Sequence, residues 1–126
     1  MRLNEIERKL KIIKKDKQII AVLLFGSYIT NRPYARDIDI CLVLDKKYSN
    51  KEMTEKRIKY YGSLPDKFDI QIFQQLPLYI RKRILEHGKV IFCNDEDKLY
   101  GIAYATIKEY DQFRSKYIDY IENVLK

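Results

Sequence analysis

The sequence predicts an α/β or α+β domain: a small mixed sheet covered by helices, with a long helix at the C-terminal end. Three observations carry this reading. Two continuous apolar runs, Ile19–Phe25 and Ile38–Leu44, have the length of buried strands. The stretch "KFDIQIF" (residues 67–73) alternates, with Phe68, Ile70 and Ile72 on one side and Asp69 and Gln71 on the other, as a half-buried strand does. Around these runs, apolar residues recur at helical spacing, so helices and strands interleave.

Taken in order, Leu3, Ile6, Leu10 and Ile13 share one face of an amphipathic helix over 3–15, with Asn4 as a cap. The strand Ile19–Phe25 ends at Gly26, and Ile38–Leu44 follows after a short turn or helix. Ser49 and Asn50 start a helix that runs to about Tyr61 and closes near Gly62. After the alternating strand, Pro77 suits the first turn of a helix reaching Gly88. His87 falls in its last turn, where a positive charge complements the helix dipole. "KVIFCN" (89–94) is a short strand, and Asn94 or Asp95 caps a last helix over about 95–126.

That last helix carries Leu99, Ala103, Thr106, Tyr110, Phe113, Tyr117, Tyr120 and Val124 in a four-three alternation, a seam with a period near 3.5. Thirty helical residues span about 45 Å, against a radius of gyration near 14 Å for a domain of this size. Part of the helix should therefore pass beyond the core. Two arrangements stay open. The helix folds back over the sheet after a break, or its aromatic stripe docks a partner or a second copy.

The chain, 126 residues with 46% apolar and 34% charged, is read as one globular domain over 1–126. The longest apolar run, Ile19–Phe25, is too short to span a bilayer, and the N-terminal stretch lacks the apolar core of a signal peptide. The expectation is a cytoplasmic protein without a membrane partner. Cys41 and Cys93 lie far apart inside apolar stretches and read as buried, reduced thiols; no Cys/His cluster suggests zinc. A net charge of +7 favours phosphate-bearing partners, although the lysines are spread along the chain.

The chemistry concentrates after the first strand. Residues i and i+2 of a strand project to the same side, so Asp37 and Asp39 stand together. If the strand of Asp69 is a neighbour, three carboxylates converge and repel one another. A divalent cation relieves this; Mg²⁺ prefers carboxylate oxygens together with substrate phosphates. Two such ions can clamp an in-line phosphoryl displacement. Gly26 allows close backbone approach, and the amides and hydroxyl at Ser27 can receive phosphate. Arg32 and Arg36 lie in the intervening loop, where each reads equally as a phosphate contact or as a solvated side chain.

The stretch "FGSYITNRPYARDIDICLVL" (25–44) resembles the signature of the nucleotidyltransferase superfamily that includes DNA polymerase beta. More narrowly, the chain is similar to the minimal nucleotidyltransferases. "KFDIQIF" resembles the strand bearing their third acidic residue. "LPLYIRKRILEHGKVIFCND" (76–95) and "AYATIKEYDQFRSKYIDYIENVL" (103–125) resemble the corresponding segments of MntA-type antitoxins. This resemblance implies that Gly26 and Ser27 hold a nucleoside triphosphate, and that Asp37 and Asp39 bind two Mg²⁺ ions. It implies that Asp69 binds the catalytic metal and helps activate the attacking hydroxyl. It further implies ATP as donor and AMP transfer to a tyrosine of a partner HEPN-domain ribonuclease toxin, which silences that toxin. Two alternatives remain: nucleotidyl transfer to RNA or a small molecule, or a non-catalytic module that blocks a toxin by binding through the last helix, with a homo- or hetero-oligomer as the result.

Overall fold

In the computed structural model, which describes residues 3–26 and 37–125, the first amphipathic segment is two helices, Leu3–Lys9 (α1) and Lys11–Lys14 (α2). They divide at Leu10, whose backbone leaves the helical region (φ −89°, ψ 5°) while Ile6, Leu10 and Ile13 are all fully buried. Periodicity alone does not show such a bend, because the apolar spacing continues through it. Asn4 lies inside α1 and does not precede it, so it is no cap.

Strands β1 (Ile19–Phe25), β2 (Ile38–Leu44), β3 (Phe68–Ile72) and β4 (Lys89–Cys93) form one mixed sheet in the order β3-β2-β1-β4. The two most apolar runs thus occupy the two central positions. β1 pairs antiparallel with both β2 and β4, and β2 pairs parallel with β3. Parallel neighbours need a crossover, supplied by α3 (Asn50–Ser63). Ser49 caps α3 by accepting the Glu52 N–H at 3.2 Å. Gly62 does not close this helix; it ends at Leu64, which is extended (ψ 157°). Leu64 precedes Pro65, and the proline ring disfavours helical geometry in the residue before it.

The sheet is covered on both faces. On one, Ile38, Ile40, Leu42, Phe68, Ile70 and Ile72 pack with Ile6, Leu10 and Ile13 and with Met53 and Tyr60 of α3. On the other, Leu23, Cys41 and Val43 pack with Phe73 and with Ile84 of α4 (Leu78–His87). Leu99 and Ile102 of α5 (Glu96–Leu125) complete that second cluster. Asp95 caps α5, accepting the Lys98 N–H at 3.0 Å. Cys41 is fully buried and burial pushes its thiol pKa far up; Cys93 is only half-buried, and both are free.

A polar tie links the segment before β1 to α3. Asp16 accepts from Lys56 Nζ at 2.5 Å, Tyr60 Oη at 2.7 Å and the Gln18 N–H at 3.0 Å. Burial alone would raise the Asp16 pKa, but the bonds from Lys56, Tyr60 and Gln18 outweigh it and hold the carboxyl below its usual value. Tyr60 is shifted the opposite way, up, by burial and by the same carboxylate.

α5 runs unbroken for 30 residues, which overturns the fold-back arrangement. Its seam is covered only in the first half: Leu99 and Ala103 are half-buried and Thr106 is buried. The same stripe then emerges, with Phe113 and Tyr117 each almost 60% exposed. Among the described residues no helix is long and apolar enough to cross a membrane.

Candidate active site

The carboxylates owe their place to strand alternation. Along β2, Ile38, Ile40, Leu42 and Leu44 belong to one core cluster and Cys41 and Val43 to the other. Asp39, two residues before Cys41, therefore projects to the α4–α5 side, at the end of the sheet where β1 finishes. Along β3 the burial pattern alternates strictly, which puts Asp69 opposite to Phe68 and Ile70. In the parallel β2–β3 ladder Asp39 and Asp69 are direct register partners. Neighbouring strands lie about 4.8 Å apart, so two half-buried carboxylates stand side by side.

Gly26 completes this corner. Phe25 at the end of β1 pairs with Asp39. The next residue, Gly26, has a φ of +76°, a conformation that disfavours any Cβ. A Cβ built there would also collide with Asp39 Oδ2. The carboxylate thus rests against bare backbone, which only glycine provides. Asp37 lies just ahead of β2 and is exposed. Ser27, Arg32 and Arg36 lie outside the described residues.

Asp69 is held from the edge of the sheet. Tyr61, near the end of α3, donates its hydroxyl to Asp69 Oδ1, and Gln71 Nε2 lies 3.4 Å from the same oxygen. The Tyr61 oxygen in turn accepts the Ile70 N–H at 3.0 Å. Arg57 lies 5.4 Å from the Tyr61 ring centroid and donates through Nε to the Ile70 carbonyl at 2.6 Å. Both outward-facing backbone groups of Ile70 are therefore paired by α3, which also blunts the exposed edge of β3. Tyr61 and Arg57 did not stand out in the sequence. Tyr61 reads there as the residue before a helix-ending glycine, and nothing local signals a contact with Asp69.

The donor set suits a hard cation: carboxylate oxygens from Asp39 and Asp69, with Asp37 at the rim. Among the described residues no group of three His, Cys, Asp or Glu side chains is set out as a ready-made metal cluster. The expected convergence of three carboxylates is therefore not seen: β2 and β3 are neighbours and bring Asp39 and Asp69 together, but Asp37 precedes β2 and stays exposed at the rim. Mg²⁺ is ordinarily bound through one or two carboxylates plus substrate phosphates.

Away from this corner, Leu78, Tyr79, Tyr110, Phe113, Arg114 and Tyr117 line an apolar groove between the start of α4 and the middle of α5. Lys82 stacks over Tyr110 at 4.4 Å, and Arg81 faces Glu109 at 3.9 Å, so the two helices are pinned beside the groove.

Comparison with known proteins bears on both places. Residues 7–97 match the family described as polymerase beta, nucleotidyltransferase. A candidate protein adenylyltransferase of Methanocaldococcus jannaschii is 42% identical over 80 residues, which are 62% of this chain and 59% of that protein. The chain thus aligns with about three-fifths of the length of this relative. Among solved structures, a toxin–antitoxin with AMP-PNP is 20% identical over the whole of both chains, with a TM-score of 0.69. A chain from the complex of the tri-AMPylated Shewanella oneidensis HEPN toxin with its MNT antitoxin is 21% identical. The match covers 99% of this chain and 100% of that one, with a TM-score of 0.67. At these identities the structural likeness establishes a shared fold.

Proposed function

Because the chain belongs to the polymerase beta nucleotidyltransferase family, we propose that it transfers AMP from ATP to a hydroxyl of a partner protein, a tyrosine of a HEPN-type toxin, and so acts as an antitoxin. The observation that carries the chemistry is the register pairing of Asp39 with Asp69 beside Gly26. The protein acceptor is favoured by the adenylyltransferase relative and by the toxin–antitoxin complexes that share the fold.

In this reading Gly26 and Ser27 receive the triphosphate, and Arg32 or Arg36 could neutralise its charge. Asp37, Asp39 and Asp69 would hold Mg²⁺, an ion that takes carboxylate oxygens together with substrate phosphates. When bound, Mg²⁺ would supply Lewis-acid neutralisation of phosphate charge. Asp69 accepts the proton of the acceptor hydroxyl. The hydroxyl oxygen forms a bond to the α-phosphorus, the bond from that phosphorus to the bridging oxygen breaks, and pyrophosphate departs with the electron pair.

The acceptor protein docks along the exposed half of α5 and its groove with α4, where Phe113 and Tyr117 present aromatic surface. The test is transfer of label from α-labelled ATP with Mg²⁺ in lysate of the host, beside an Asp39→Asn variant. One labelled protein band, absent with the variant, supports the reading. Label confined to RNA or a small molecule refutes a protein acceptor. Undiminished toxin neutralisation by Asp39→Asn shows that binding alone suffices.

A further inference from the structure

We propose that Tyr61 is a positioning residue for Asp69, fixing which carboxylate oxygen is presented to metal and acceptor; this rests on the role given to Asp69 above. The hydrogen bonds to Asp69 from Tyr61 and Gln71 both fall on Oδ1. The phenol occupies that oxygen, so Oδ2 is the oxygen turned to the reaction. An isolated Asp on an edge strand rotates freely about its last torsion, which is broad and roughly two-fold. The Tyr61 bond removes that freedom before substrate arrives.

The hydroxyl is itself fixed. It accepts the Ile70 N–H while donating to Asp69, and a hydrogen bond received at the phenol oxygen strengthens the one it gives. Arg57 locks the ring from above and holds the same backbone residue through its carbonyl. The chain from Arg57 and Ile70 through Tyr61 to Asp69 is built from one turn of α3 and two adjacent residues of β3. It therefore moves as a unit with the sheet. Such outer-shell partners typically change metal affinity or activity by about 10- to 100-fold when lost.

Tyr61→Phe keeps the ring under Arg57 and removes only the O–H. The expected result is a kcat for AMP transfer lowered about 10- to 100-fold with KM for ATP within about twofold. A second readout does not depend on turnover. Mn²⁺ binding to the full chain with a non-hydrolysable ATP analogue, followed by electron paramagnetic resonance, should weaken by a similar factor. In an Asp69→Asn background, Tyr61→Phe should cause no further loss of Mn²⁺ affinity, because its effect runs through Asp69. Equal loss in both backgrounds, or wild-type kcat and Mn²⁺ affinity in Tyr61→Phe, overturns the proposal. A wild-type chain that binds Mn²⁺ but transfers no AMP counts against the function proposed above, and the Mn²⁺ cycle still decides the role of Tyr61.

Discussion

Replacing Gly26 by alanine tests the corner on which the site is built, and the structure separates its two effects. The first is on stability. A side chain at φ +76° occupies the left-handed region, which costs about 1–2 kcal/mol. With an unfolding entropy near 2.1 cal/mol/K per residue, this should lower the Tm by roughly 4–8 °C. The second effect is on chemistry. The new methyl would overlap Asp39 Oδ2, and of the two it is the side chain that can yield. A displacement of about 1 Å at a reacting group can cost about 100-fold in rate. Thermal unfolding by circular dichroism reads the first effect, and α-labelled ATP transfer reads the second. Gly101→Ala is the control, since Gly101 lies inside α5 with open space around its Cα. It should raise stability by about 0.5–1 kcal/mol. A Gly26→Ala protein with native transfer rates would refute the placement of Asp39 in the reaction. A fall in Tm far beyond this range would show that Gly26 supports the core and not the site.

Other consequences are open to measurement. Asp16→Asn removes the charge facing Lys56, whose side chain is only 14% exposed, and should cost about 2 kcal/mol in urea unfolding. Because the Asp16 pKa is depressed in the folded protein, its contribution is present above the unfolded value and disappears as pH falls through the folded one. Wild-type stability should therefore drop more steeply than that of Asp16→Asn below about pH 4. Phe113→Glu should leave Tm within about 2 °C while abolishing co-purification of a partner protein, since this ring is largely exposed. Cys41 should resist iodoacetamide in the native protein, while half-buried Cys93 reacts first.

Much of the fold could be read from local pattern. The first two strands keep their expected limits, the third and fourth are shorter at their ends, and the alternation in "KFDIQIF" turns Asp69 away from Phe68 and Ile70. The pairing of Asp39 with Asp69 was conditional on β2 and β3 being neighbours, and only the sheet order supplies that. Contacts between distant segments left no local trace. Asp16 meets Lys56 and Tyr60 across 40 and 44 residues. Tyr61 reaches Asp69 only because α3 lies along the edge of β3. The bend at Leu10 leaves no mark in the sequence because the apolar spacing runs through it. Gly62 suggests a helix end, but the steric demand of Pro65 on Leu64 decides it.

The uneven covering of α5 has a dynamic consequence. Up to Thr106 the helix is tied to the sheet through Leu99 and Ile102, so amide protons there exchange with solvent only when the core itself opens. Past Tyr110 the turns are held by their own hydrogen bonds, and they can fray without disturbing a single strand. One continuous helix thus carries two exchange regimes. The boundary falls where the contacts from α4 through Lys82 and Arg81 come to an end. Any molecule seated on the outer turns would join the two regimes into one, and the length of newly protected helix would measure its footprint.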